Sequence, residues 1–439
     1  MNRYFKYSLI IFIVILLLTG LIISAVTLYD PNAYKPLITQ WIKDEKKREL
    51  RLDGDIRLTV YPQFGLNISQ LSLSEHDSRE AFTHIENIQL SLSLWPLLSK
   101  QLVVDKFAIQ GLDATLIRYT DGRTNIDDLL PTDDDSPAFE FNIEQLHVNN
   151  TELVFRDEKN LRNYRLSNLN FTADKITELS LDNLKLHALG ETKHIKKNDS
   201  NHFEVQLNIP NLQFEANHLA SDQINLIAKV TQLENNINGA LTLSNITSTD
   251  HHFSSDMMTI ELAAERDAQI VNFFFHSPLS GNLDTQELKL SDLELNLRIF
   301  QSQSPNIPIS GNLRGNLFVS SNSPGYLQAN FSGNLEDSLI KAEFNLSDFN
   351  KPVLQFMVDI DQFNMSRYLP PLKPKHQPIK NDKDAINHIN ESLDFALLAD
   401  LDVNGTLHIG SFQSNDLFIS GIQFEIQNDN GHLQTSQTE

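Results

Sequence analysis

The sequence predicts an all-β protein carried behind one N-terminal transmembrane helix. Three observations predict it. Residues Ser8 to Leu28 contain no charge. From residue 50 onward, apolar and polar residues alternate at period two, and helical spacing is nearly absent. Turn-forming dipeptides interrupt that alternation at short intervals.

The apolar run comes first. About 21 helical residues reach ~31 Å, which matches the hydrocarbon core of a bilayer. Arg3 and Lys6 precede the run, and no Lys or Arg follows before Lys35. The positive-inside bias therefore places the N-terminus in the cytosol and the rest of the chain across the membrane. A cleaved signal peptide is the alternative. The run is longer than a usual signal core, and Ile23 stands where a cleavage site wants a small residue.

Next, Asp30 is placed to cap a helix whose first position is Pro31. Leu37, Ile38, Trp41 and Ile42 recur at helical spacing, and Lys43 to Arg48 form a charged end. This reads as a short amphipathic helix that caps the open end of the following sheet, in preference to a separate lipid-binding helix.

The strands follow. Ile88, Leu90, Leu92 and Leu94 alternate with polar residues, as do Phe203, Val205, Leu207 and Ile209. So do Leu293, Leu295, Leu297 and Ile299, then Ile340, Ala342, Phe344 and Leu346, and finally Ile422, Phe424 and Ile426. Each run is a strand with one apolar and one polar face. Asp53-Gly54, Asp121-Gly122, Asn238-Gly239, Ser280-Gly281, Pro324-Gly325, Asn404-Gly405 and Asn430-Gly431 are read as turns, and Gly311 and Gly315 as turn or bulge glycines. Strands at this spacing number some twenty or more. Their apolar faces must be covered by a second sheet, by barrel closure or by an apolar ligand. Two segments break the pattern: the acidic stretch 131–137 and the Pro- and Lys-rich stretch 370–392. The chain thus divides into an anchor (1–29), a capping helix (30–49), a β body (50–369), a polar linker (370–392) and C-terminal strands (393–439).

Composition narrows the function. A net charge of −22 argues against nucleic acid and against charge-driven docking on anionic lipid. With no cysteine there is no disulfide and no thiolate metal site. The adjacent pair His251-His252 points to opposite faces of a strand, and the run Asp133, Asp134, Asp135 lacks the glycine and distal glutamate of a calcium loop. No nucleophile, metal-hydrolase or phosphate-loop motif is present. The expectation is therefore a protein without catalytic residues, metal or cofactor.

Several motifs converge. They are Asp30-Pro31 with Tyr34-Lys35-Pro36 directly after the apolar run, Arg51-Leu52-Asp53-Gly54-Asp55-Ile56 with Tyr61-Pro62 and Leu66, and Leu94-Trp95-Pro96-Leu97-Leu98-Ser99. Asp121-Gly122-Arg123-Thr124-Asn125 with Leu129, then Arg367-Tyr368-Leu369-Pro370-Pro371, and Leu401-Asp402-Val403-Asn404-Gly405 with Ile409-Gly410, complete the set. Together they resemble the AsmA family of Gram-negative envelope proteins, closely over residues 1–130 and 360–435 and more loosely between. The resemblance implies a long curved antiparallel sheet forming an open apolar groove, related to the bridge-type lipid transfer proteins. It implies a non-enzymatic protein of the inner membrane and periplasm that holds lipid acyl chains and supports phospholipid transport to, or assembly of, the outer membrane. The groove candidates are Leu90, Leu92, Leu94, Phe203, Val205, Leu207, Leu295, Leu297, Phe344 and Leu346. The expected partners are phospholipid acyl chains, the inner membrane, outer-membrane assembly proteins, and a second copy through the C-terminal edge at Ile422 to Ile426. Family members continue past Ile409-Gly410, so the groove is expected to be shortened at that end. The alternatives are an adaptor of outer-membrane protein assembly whose strands form a dry sandwich and, behind it, an envelope hydrolase.

Overall fold

The computed structural model describes residues 30–59, 64–93, 96, 103–130, 142–194, 200–215, 217–232, 235–266, 269–301, 308–367, 402–414, 417–429 and 432–438. The expected span at 8–28 and the candidate Leu94 lie outside them, as do Asp133 to Asp135. Among the described residues, no helix is long and apolar enough to cross a membrane.

The chain forms two compact units, one of residues 1–216 with 221–238 and one of residues 217–220 with 239–439. Both are all-β. The first opens with a 3-10 turn, Pro31–Tyr34, which leads into helix α1 (Lys35–Lys46). Asp30 caps the turn by accepting the Asn32 amide at 2.9 Å. Lys47, at φ 53°, ends the helix. The strands of this unit are β1 (Leu50–Leu52), β2 (Ile56–Thr59), β3 (Phe64–Ser74), β4 (Ala81–Leu92), β5 (Val103–Arg118), β6 (Asn142–Asp157), β7 (Arg162–Ile176), β8 (Ser180–His194), β9 (Ser200–Glu215) and most of β10 (His218–Gln232). Both β1 and β2 pair with β3, and the rest follow in chain order.

The second unit holds most of β11 (Asn235–Thr249), then β12 (His252–Arg266), β13 (Gln269–Asn282), β14 (Glu287–Gln301), β15 (Ile309–Ser320), β16 (Tyr326–Leu335), β17 (Ser338–Ser347), β18 (Val353–Asn364), β19 (Asp402–Ser414), β20 (Leu417–Asp429) and β21 (His432–Thr438). From β12 on, each strand pairs with the next.

Two steps correct the expectation of a purely antiparallel sheet: β5 runs parallel to β6, and β18 runs parallel to β19. A parallel pair cannot be joined by a hairpin, because the chain must return to the same end of the sheet. The two segments that break the alternation in the sequence, 131–137 and 370–392, fall between β5 and β6 and between β18 and β19. At the end of the first parallel pair, Arg118 and its register partner Asp157 form a bidentate ion pair, which holds the Asp157 carboxyl below its usual range.

The glycine reading also changes. Gly325 (φ 75°) and Gly122 (φ 94°) are turn residues as expected. Gly239, Gly281, Gly311, Gly315 and Gly405 lie inside strands. Ile422 and Phe424 lie on β20, which pairs with the last described strand, β21.

Candidate functional site: an apolar sheet face in each unit

Register decides which strand faces lie together. In the second unit, Phe275 pairs with Leu295, then Leu313, Gly333, Ile340 and Ile360 across successive strands. A second row runs from Leu290 through Leu317, Ala329, Phe344 and Phe356 to Gly405. Leu297 and Leu346 lie on the same face, opposite Gly311 and Leu327. The four candidates of this unit, Leu295, Leu297, Phe344 and Leu346, therefore share one apolar surface. In the first unit, a row runs from Ile88 through Ile109, Val148, Phe171 and Leu186 to Leu207. Leu90 and Leu92 continue the face along β4, and Val205 and Phe203 continue it along β9. Five more candidates thus share a face.

This face is neither sealed nor bare. All nine described candidates are half-buried. One compact cluster is buried: Phe275, Leu290 and Leu293, against which Phe273, Leu295, Leu317 and Phe331 pack. Within each unit every described strand sits in the hydrogen-bonded order, and none is left over to lie on the apolar face. Two open depressions, of about 590 and 540 Å³, are lined mainly by residues of the other strand face, among them Lys289, Gln328, Glu343 and Gln355 in the second unit and Thr172, Lys185, Gln206 and Asn208 in the first.

The opposite face is polar and laced with cross-strand pairs. Glu294 bridges Arg314 at 2.7 Å and His276 at 3.2 Å. Asn316 donates to Asn330 at 3.1 Å. In the first unit, Gln206 and Lys229 donate to Glu204 at 2.8 and 3.0 Å, and His187 lies 3.2 Å away; together they hold the Glu204 carboxyl at about 2. These are ion pairs on strand surfaces. His251 and His252 bond separately to Asp284 and Asn282, and no metal-holding cluster occurs among the described residues.

Two devices shape the apolar face, and the sequence reading missed both. The first is a bulge within the strand. Leu288 and Leu290 share a face with Leu293 and Leu295, although the step from 290 to 293 is odd. Asp292, at φ 49°, absorbs the extra residue; its amide donates to Asn316 at 3.0 Å. The fully buried Ser277 on β13 donates to the Ser291 carbonyl at 3.0 Å. Similar register shifts fall between Ser255 and Met258 and between His276 and Leu279. The available signal was the break in apolar parity at Ser291-Asp292.

The second device pairs a phenylalanine with a glycine across the ladder: Gly190 with Phe203, Gly281 with Phe253, Gly315 with Phe331, and Gly405 with Phe356. A Cβ at Gly190 would run into the end of the Phe203 ring, and one at Gly405 into the Phe356 ring. The Phe203, Phe253 and Phe356 rings therefore occupy the space that a side chain on the opposite residue would take. Replacing Gly190 with valine should lift Phe203 off the sheet and cost about 1–3 kcal/mol, the usual scale for overpacking. Denaturant unfolding measures it, and adding Phe203→Ala should recover much of the loss. A Gly190→Val chain as stable as the parent would refute the packing argument.

No solved structure matches the chain. A curated relative, Protein AsmA of Escherichia coli (strain K12), is 29% identical over 175 residues, which cover 37% of this chain and 28% of that protein. The matched stretch thus spans under a third of the relative's length. The model of the AsmA family matches residues 1–438. With the match running along essentially the whole sequence, the chain belongs to the AsmA family.

Proposed function

We propose that this protein holds phospholipid acyl chains against the apolar face of its sheet and thereby supports lipid transport to, or assembly of, the outer membrane. In this reading, residues 8–28 anchor it in the inner membrane with the N-terminus cytosolic and the β units in the periplasm. It carries out no chemistry. One observation carries the reading: a contiguous, half-buried apolar face in each unit with no described strand of that unit left to cover it. Soluble proteins rarely leave apolar patches larger than a few hundred Å² open to water. Moving a chain of ~16 carbons through water costs on the order of 12 kcal/mol, at ~0.8 kcal/mol per methylene. An apolar face offsets that cost, and the lipid in turn shields the face.

The experiment places a photo-crosslinking residue at Leu295 or Phe344 in the full chain in cells, with Glu294 and Glu343 on the opposite face as controls. The expected outcome is phospholipid captured at the first two positions and little at the controls. Equal labelling of both faces, or no lipid at Leu295 and Phe344 in folded protein, would overturn the reading.

A further inference from the structure

Helix α1 turns its apolar stripe away from the protein. Tyr34, Leu37, Ile38 and Trp41 recur at the i, i+3, i+4, i+7 spacing of a single helical face. They are 45%, 70%, 37% and 60% exposed. The side toward the sheet is tied by polar contacts instead. Asn32 pairs with both backbone groups of Ile56, at 2.9 and 3.2 Å. Lys35 donates to the Gly54 carbonyl at 2.7 Å, and Lys46 to the Asp128 carbonyl at 3.3 Å. A helix that capped its sheet with its apolar side would bury that stripe.

We propose that this stripe seats in the headgroup boundary of a lipid bilayer, the same bilayer that the preceding apolar run enters; the proposal rests on the anchor reading given above. The position of that run favours a bilayer over a protein partner. The uncharged run ends at Leu28, six residues before Tyr34. Six residues span at most about 21 Å when fully extended, so the stripe cannot lie far from the point where the run leaves the membrane. The chemistry agrees. Tyr and Trp, with an apolar body and a polar tip, are the residues that settle at the membrane–water boundary. At the far end of the helix Asp44 and Glu45 offset Lys43 and Lys47, so apolar and aromatic contact rather than charge carries the seating. Seated this way, α1 would fix the start of the sheet against the membrane surface.

The test uses the full chain with Trp95→Phe, which leaves Trp41 as the one tryptophan. The protein is reconstituted in phosphatidylcholine–phosphatidylglycerol vesicles whose acyl chains carry bromine either near the headgroup or near the chain end. The expected result is blue-shifted Trp41 emission, quenched severalfold by the shallow bromines and weakly by the deep ones, with the quenching lost in Leu37→Glu. Protein that floats with the vesicles but shows unquenched, water-like emission overturns the seating of the helix while leaving the anchor in place. Protein that does not float with the vesicles removes the anchor and this proposal with it. Quenching that is equal at both depths, or that persists with brominated lipid in detergent and no bilayer, assigns the stripe to lipid carried by the protein and also overturns the proposal.

Discussion

Replacing Phe344 with glutamate is expected to abolish lipid capture while the sheet stays folded. Phe344 sits in the middle of the apolar rows of the second unit, paired with Ala329 on one side and Phe356 on the other, its ring 6.4 Å from that of Phe331. Its side chain is half-buried, so a carboxylate there can still reach water in the empty protein, and the cost to folding is limited. Once an acyl chain lies across the site, the charge loses that access. A buried, unpaired carboxylate costs several kcal/mol, well above the ~1.4 kcal/mol that makes a tenfold change. Phospholipid recovered with the purified variant should therefore fall by at least about tenfold, with β-type circular dichroism and melting temperature near those of the parent. Phe344→Leu keeps an apolar surface and should keep the lipid. Normal lipid content in Phe344→Glu would remove the second unit's face from the proposed path.

Replacing Arg48 with methionine is expected to cost about 3–5 kcal/mol, the usual penalty for breaking a buried charge pair from one side. The Arg48 side chain is 0% exposed. Its guanidinium forks onto both oxygens of Asp128, at 2.7 and 2.6 Å, donates to the Ser74 carbonyl at 2.8 Å and to the Asn125 carbonyl, and stacks 5.1 Å above the Phe82 ring. Asn125 is saturated in turn: its amide group donates to Glu75 and to the Thr115 carbonyl, and it accepts from the Ile117 amide. The Asp121 to Asn125 motif, which resembles a family signature, thus serves here to lock the return after β5 against the end of α1. The urea-unfolding curve of the full chain reads the loss. Arg48→Lys should recover little, because an ammonium cannot fork onto a carboxylate. An unchanged unfolding curve in Arg48→Met would show that the pair holds nothing together.

The same lock has a pH signature. The hydrogen bond from Arg48 lowers the Asp128 carboxyl from its ordinary 3.8. In the unfolded chain Asp128 binds its proton more readily than in the folded one, so its contribution is fully present above pH ~4 and is lost as pH falls below that value. Arg48→Met should remove this part of the acid sensitivity, and titrating the unfolding midpoint of both chains would show it.

The strands, their polar faces and the side on which each apolar residue falls within its own strand were legible in the sequence, because period two reports only neighbours along the chain. Phe203, Val205 and Leu207 needed nothing more to share a face, nor did Leu295 and Leu297. The family was legible as well, since its motifs lie on short contiguous stretches. What alternation could not show is whether the face of one strand continues into the next. That depends on register, and register depends on partners far away in the chain. Leu290 and Leu295 share a surface only because a bulge at Asp292 reverses the parity between them. Gly281 and Gly405 read as turns, yet they lie in strands against phenylalanine rings, because a glycine's freedom to turn and its lack of a side chain look alike until the opposite strand is in place. The parallel steps at β5–β6 and β18–β19 were hidden for the same reason: a linker's composition shows that the chain leaves the sheet, not the end at which it returns. In α1 the spacing of Leu37, Ile38, Trp41 and Ile42 marked an apolar stripe, and the contacts of Asn32, Lys35 and Lys46 leave the first three exposed and Ile42 half-buried.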